Sequence, residues 1–421
     1  MQIQWQNAGF SSEQIRKVCD GALMQRLNEL RSASRDFTYS KPEAGIALCF
    51  DKRFINESTK LAAKFKSVEL VVVIGIGGSN LGCQAVCEAV LGSNYNLFSK
   101  KKLLWLDAIN SDSLLTVKKA MSQTRPKKTL LIVISKSGNN TEPIANFQIV
   151  YKKGTSVVVI SENNSKLHGL AIANDFHFLH VPKKLSGRYS VFSNVGLFPL
   201  AVMGVDVKKL LAGAAAGAVD AFSPNAEKNP VAVLAALLYL HCKKRKRCIS
   251  ENLFFANNLE HVGKWYRQLL AESIGKEKNL VGKIVNEGIT PVVATAVDLH
   301  SQAQLYFGGP DNRFYSVTTV QQQKSFAIPV LKGAREVVSV IQGKGTSQVS
   351  RAIEIGFKKS LVNHCRPFVE FNLREINEEE LGYYMQVQMI AVMLLAHLLN
   401  VNPFDQPNVE DYKIETKRQL S

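Results

Sequence analysis

Five apolar runs, at 69–74, 103–107, 129–134, 155–160 and 176–181, alternate with helix-compatible segments at 80–91, 111–122, 141–152 and 165–174. None of these runs has the period-two pattern of a strand with one wet face. Strands buried on both faces and separated by helices call for a parallel, doubly wound α/β sheet, because parallel neighbours need a crossover of helix length. The alternation places a first domain at 45–205, after an N-terminal helical segment at 1–44. A second alternation follows the Pro-bounded stretch SPNAEKNP, with strands at 248–255, 289–296, 313–320 and 366–373 and helices at 257–271, 299–307, 347–363 and 379–399. The expected division adds a helical linker region at 206–230, a second α/β domain at 231–400 and a C-terminal helix within 401–421.

A chain of 421 residues is long for one domain, and 46% hydrophobic with 21% charged residues describes a globular protein. No run of 18 apolar residues occurs, so no membrane span is expected. The start, MQIQWQNAGFSSEQ, lacks the basic-then-apolar order of a signal peptide. Seven cysteines without a C-x-x-C fit free thiols in a reducing cytoplasm better than a disulfide framework or a zinc site. The net charge of +17 favours anionic ligands. It would also attract nucleic acid non-specifically, but no aromatic platform accompanies the densest run, KKRKR at Lys243–Arg247, which reads as a solvated loop between a helix and a strand. No specific nucleic-acid partner is expected.

The first strand runs into VVVIGIGGSNLG, Val71–Gly82. It stops at Gly75, passes through Gly77, Gly78 and Ser79, and enters a helix. Glycines allow close backbone approach, and free N–H groups at a helix start attract anions. A dinucleotide fingerprint would need glycine at Asn80 and an acidic residue about 20 positions on, and Asp107 lies too far along. A P-loop would need Lys-Ser or Lys-Thr after the glycines, and neither follows. A small anionic ligand remains, with a glycine turn kept for packing as the alternative. The third strand ends similarly, in ISKSGNNTE, Ile134–Glu142, where Ser135, Ser137 and Thr141 supply hydroxyls around Gly138. Both loops open at the carboxyl edge of one sheet, where ligands bind in such folds. Thr141 also suits an N-cap, and Lys136 is either a phosphate counter-charge or a surface lysine.

Three further segments carry reactive groups. SGRYSVFSNVG holds Arg188 beside Gly187; a guanidinium suits a developing oxyanion, and equally a structural ion pair. WYRQLLAESIGK puts Glu272 at a helix C-terminus, where the dipole disfavours a carboxylate. DLHSQAQLYFGGP puts His300 at a helix start, able to move a proton or to cap. Without H-x-x-x-H or H-E-x-x-H, no metal site is expected.

Taken in order, GIGGSNLG, SKSGNNTEP, SGRYSVFSNVG, AESIGK, LHSQAQLYFGGP and NPFDQPNVEDYK resemble the successive signature segments of the glucose-6-phosphate isomerase (phosphoglucose isomerase) family. The resemblance implies two sugar-isomerase (SIS-like) domains, each a parallel sheet sandwiched between helices. It implies interconversion of D-glucose 6-phosphate and D-fructose 6-phosphate through ring opening and a cis-enediol(ate), with no cofactor. It also implies a homodimer with a shared active site. By position, Glu272 matches the base that moves the proton between C1 and C2, and Arg188 the group that stabilises the enediolate. His300 and Lys413 match the pair that opens the ring. Ser79, Ser135 and Ser137 match phosphate-binding positions, Gly78, Lys136, Asn140 and Thr141 are expected to bind the phosphate beside them, and Gln406 matches a substrate-contacting glutamine.

The chain departs from the family pattern in three places. Asn139-Asn140 replace the usual Thr-Thr, Ser186 replaces the first glycine of Gly-Gly-Arg and stiffens that turn, and the N-terminal region is reduced. Two rival readings are a non-catalytic sugar-phosphate sensor and a basic nucleic-acid binder. Retention of Glu272, Arg188, His300 and Lys413 together argues against the sensor, which needs only phosphate loops.

Overall fold

A computed structural model describes residues 1–19, 21–225 and 229–420. Its strands are β1 (Gln2–Gln4), β2 (Leu70–Ile74), β3 (Lys102–Leu106), β4 (Thr129–Ile134), β5 (Ser156–Ser161), β6 (His177–His180), β7 (Ile249–Phe254), β8 (Lys276–Lys278), β9 (Ile284–Glu287), β10 (Thr290–Thr295), β11 (Arg313–Val320) and β12 (Phe368–Leu373). One sheet has the order β3-β2-β4-β5-β6, all parallel. Its central strands, LVVVI and TLLIVI, are buried at every position, which is why they read as unbroken apolar runs. The other sheet has the order β1-β12-β11-β7-β10, parallel except for β1.

The helices expected between strands are present, including Leu81–Leu91, Ser111–Ser122, Thr141–Val150, Glu260–Ile274 and Leu299–Gly308. Several elements go beyond the sequence-based expectation. The N-terminal segment, read as helical, begins with β1, whose Gln-Ile-Gln has no apolar run because it lies at a sheet edge. The β8–β9 hairpin is short and largely exposed. The helix Pro230–Arg245 is apolar all round and so lacks a periodic signature.

Helix Glu378–Leu398 is long and apolar enough to cross a membrane, but 83% of its apolar window is buried inside the protein. It packs on the helices Val207–Ala221 and Pro230–Arg245. Contact is close enough to require glycine: a Cβ on Gly213 would stand 1.9 Å from Glu379 O, and one on Gly382 would stand 2.0 Å from Leu210 O. The region 206–230 thus contains a helix of the core, and its residues 226–228 lie outside the described residues, as does Ser421. A single apolar cluster, including Val71, Ile132, Phe254 and Phe371, runs from one sheet to the other.

Two readings of the basic run and its flanking cysteines need correction. The helix continues through Arg245, and Lys243 pairs with Glu287 and Arg247 with Asp311, while residues 243–246 are exposed, so the run is a solvated helix end leading to the strand rather than a loop throughout. Cys242 and Cys248 form a disulfide, where free thiols were expected. Cys49, Cys83 and Cys87 are free and buried, Cys19 is buried, and Cys365 is free and exposed.

Candidate active site

After β2 the chain turns through Gly77–Ser79 before the helix Leu81–Leu91. Gly77 has φ +60°, in the left-handed region. Gly78 lies flat on a second turn, Gly187–Tyr189: a Cβ there would stand 2.3 Å from Gly187 C and 2.7 Å from Arg188 N. Ser190 Oγ donates to Gly187 O at 2.7 Å and approaches Gly78 O at 3.3 Å. The bare backbone at Gly78 therefore seats the first loop against the arginine turn. Ser186, at φ −75°, needs no glycine.

Arg188 is only 2% exposed. A guanidinium carries five N–H donors, and a buried one must be matched. Here Nε donates to Ser273 Oγ at 2.9 Å, and Nη1 to Glu272 Oε2 at 3.0 Å and Gln406 Oε1 at 3.3 Å. Nη2 donates to Pro403 O at 2.6 Å and Asp405 O at 3.0 Å. Ser273 also shares a 2.9 Å hydrogen bond with Tyr189 OH.

Glu272 sits in the last turn of helix Glu260–Ile274, with its side chain 31% exposed. One oxygen is held by Arg188, and the other accepts from Gln268 Nε2 at 3.0 Å. Gln268 was not singled out from the sequence, although its i−4 spacing puts it on the same helix face. Its Nε2 would lie 2.9 Å from a Cβ on Gly77, so this side chain joins the first glycine loop to the carboxylate. Its own Oε1 is buried without a partner among the described residues.

The loop after β4 forms a second polar centre. Asn140 stands at the N-cap position of helix Thr141–Val150, in place of Thr141, which is exposed in the first turn. Its side chain does not cap. Instead Oδ1 faces Ser135 Oγ at 3.2 Å and Ser137 Oγ at 3.5 Å. Gly138 turns the loop at φ +69°, and a Cβ there would stand 2.9 Å from Leu167 N. Lys136 is drawn sideways: Nζ donates to Lys183 O at 3.0 Å and lies 3.6 Å from Glu162 Oε1. Burial pushes its ammonium pKa down, against the pull of Glu162.

Residues 49–418 match the sequence pattern of the family described as Phosphoglucose isomerase. The chain belongs to the phosphoglucose isomerase family. A protein named "Probable glucose-6-phosphate isomerase" from Methanococcus maripaludis is 33% identical over 353 residues, covering 82% of this chain and 77% of that one. The fold is similar to that of a hypothetical protein from Thermus thermophilus, at TM-score 0.85, 27% identity and full coverage of both chains. It is also similar to a glucose-6-phosphate isomerase from Chlamydia trachomatis, at TM-score 0.78 and 19% identity, covering 97% of this chain and 84% of that one.

Of the residues matched to family positions, the structure gathers Gly78, Arg188, Glu272 and Gln406 into one network, with Ser79 half-buried in the adjoining turn. His300 and Lys413 are not hydrogen-bonded into it. His300 is exposed and lines an open cavity of about 610 Å³ with Phe255, Asn257 and Gln323. Lys413 pairs with Glu410 of its own helix, Val409–Leu420, at 2.8 Å.

Proposed function

We propose that Glu272 is the proton-transferring base, and Arg188 the enediolate-stabilising cation, in the interconversion of D-glucose 6-phosphate and D-fructose 6-phosphate. The observation that carries this reading is the 3.0 Å pair between Arg188 Nη1 and Glu272 Oε2, with Gln406 on the same nitrogen. One carboxylate can serve both C2 and C1 when they present their protons on one face. The charge that develops on the sugar oxygen then lies beside a guanidinium already fixed by its backbone acceptors, which needs no reorganisation. A substrate oxygen would displace Glu272 or Gln406 from Nη1, while the two Nη2 bonds hold the group in place.

The hydroxyls of Ser135 and Ser137, with Asn140 and Ser79, bind the 6-phosphate, and this remote contact orients the sugar. Gly78 holds the two loops together. Lys136 contributes charge at the rim, and Thr141 offers a first-turn hydroxyl. His300 and Lys413 open the ring. The exposure of His300 supports a homodimer in which it serves the partner's site. Phe326, Val330, Leu331, Val337 and Val340 are all exposed in the segment after β11, and such an apolar surface favours a second copy as its cover. The reading goes with domains at 45–205 and 231–400, and with a cytoplasmic location, where the Cys242–Cys248 bond would be open to reduction.

A coupled assay on the purified chain tests this directly. Turnover of glucose 6-phosphate and fructose 6-phosphate is expected, and binding without turnover would instead favour a sensor. Mannose 6-phosphate in the same assay sets the substrate range.

A further inference from the structure

We infer that Lys276 is a positioning residue for the proton-transfer step, clasping the end of the Glu272 helix to the segment Pro403–Gln406. The inference rests on the roles proposed above for Glu272 and Arg188.

Lys276 opens β8, just after helix Glu260–Ile274, and is only 5% exposed, which is rare for a lysine. Its Nζ donates to Glu272 O at 2.6 Å and to Asp405 O at 2.7 Å, and lies 3.3 Å from Asp405 Oδ1. An ammonium has three donors, and three acceptors surround this one.

Each contact has a separate consequence. The first folds back onto a carbonyl that the helix end leaves without a partner. It also brings positive charge to the negative pole of the helix, where Glu272 is otherwise disfavoured. The second is shared, because Asp405 O also accepts from Arg188 Nη2 at 3.0 Å. Two buried cations thus hold one carbonyl, and the next residue, Gln406, reaches Arg188 Nη1. Without Lys276, Asp405 O would be held by Arg188 alone, and Arg188 Nη1 would lose its alignment between Glu272 and Gln406. The cross-strand pairing of Lys276 with Glu287 fixes the backbone from which the side chain reaches inward. Burial, and then the Arg188 charge, push the Lys276 ammonium down from its ordinary range, while Asp405 and Glu272 oppose them.

The test compares Lys276→Met and Lys276→Arg with the parent chain in steady-state isomerase assays, with unfolding temperature measured alongside. Lys276→Met should lower kcat by about tenfold or more with KM changed less than about threefold, the pattern of lost transition-state alignment rather than lost binding. Lys276→Arg keeps the charge with a different head and should recover part of that loss. If Lys276→Met does not fold, the arginine variant alone must still lower kcat more than it raises KM. Parent-like kcat in a folded Lys276→Met, or equal losses in both variants that track unfolding temperature alone, would overturn the inference. Inactivity of the parent chain would instead defeat the proposed function.

Discussion

The two halves of the chemistry are built to different degrees of completion. The half to which we assign proton transfer is finished within one chain: every Arg188 N–H has an acceptor, and both oxygens of Glu272 are held. The half to which we assign ring opening is open: His300 faces a wide cavity, and Lys413 pairs with Glu410 of its own helix. Buried charge must be satisfied wherever it occurs, so the first half is preassembled by folding itself. Exposed groups carry no such obligation and can wait for substrate or for a second copy. The loop to which we assign phosphate binding lies between these extremes, with the Ser135 and Ser137 hydroxyls turned onto Asn140.

The largest effect should come from the finished half. Glu272→Gln keeps the shape and a hydrogen-bonding group but removes the base, and kcat should fall about a thousandfold with sugar-phosphate affinity retained, as read by calorimetry and turnover. In the open half, His300→Ala should lower kcat by up to about a hundredfold. Mixing that variant with Glu272→Gln after subunit exchange should then restore about a quarter of parental activity, because one intact shared site forms in each mixed dimer. No recovery in demonstrated mixed dimers would mean that the chain uses its own histidine and that the two halves belong to one protomer. At the phosphate loop, Ser135→Ala with Ser137→Ala should lower kcat/KM about tenfold, mostly through KM, since charge-assisted hydrogen bonds to a remote group are lost. The smallest effect is expected at Cys242→Ser. Opening this short loop should cost about 2 kcal/mol, or about 2 °C in unfolding temperature, with kcat unchanged.

The same contrast governs what could be read from the chain beforehand. Strands such as LVVVI and TLLIVI are legible because burial on both faces forces continuous apolar residues. β1 is not, since an edge strand of Gln-Ile-Gln is specified by its partner β12 rather than by its own pattern. Arg188, Glu272 and Gln406 could be named from their motifs, but nothing local shows that residues 188, 272 and 406 meet at one nitrogen. Gln268 and Lys276 stand at i−4 and i+4 from Glu272, a spacing that could have been used. Their importance became visible only when the loops at Gly77 and Asp405 were placed against them. Cys242 and Cys248 read as free thiols because spacing alone does not reveal that a helix end brings two sulfurs together.

Whether Glu272 moves the proton, as proposed, is answered by running the reaction in deuterated water and following label at C2 of glucose 6-phosphate by NMR. The parent chain should incorporate deuterium as it isomerises, and Glu272→Gln should bind the sugar phosphate without incorporating label. Exchange at the parental rate in that variant would show that another group is the base.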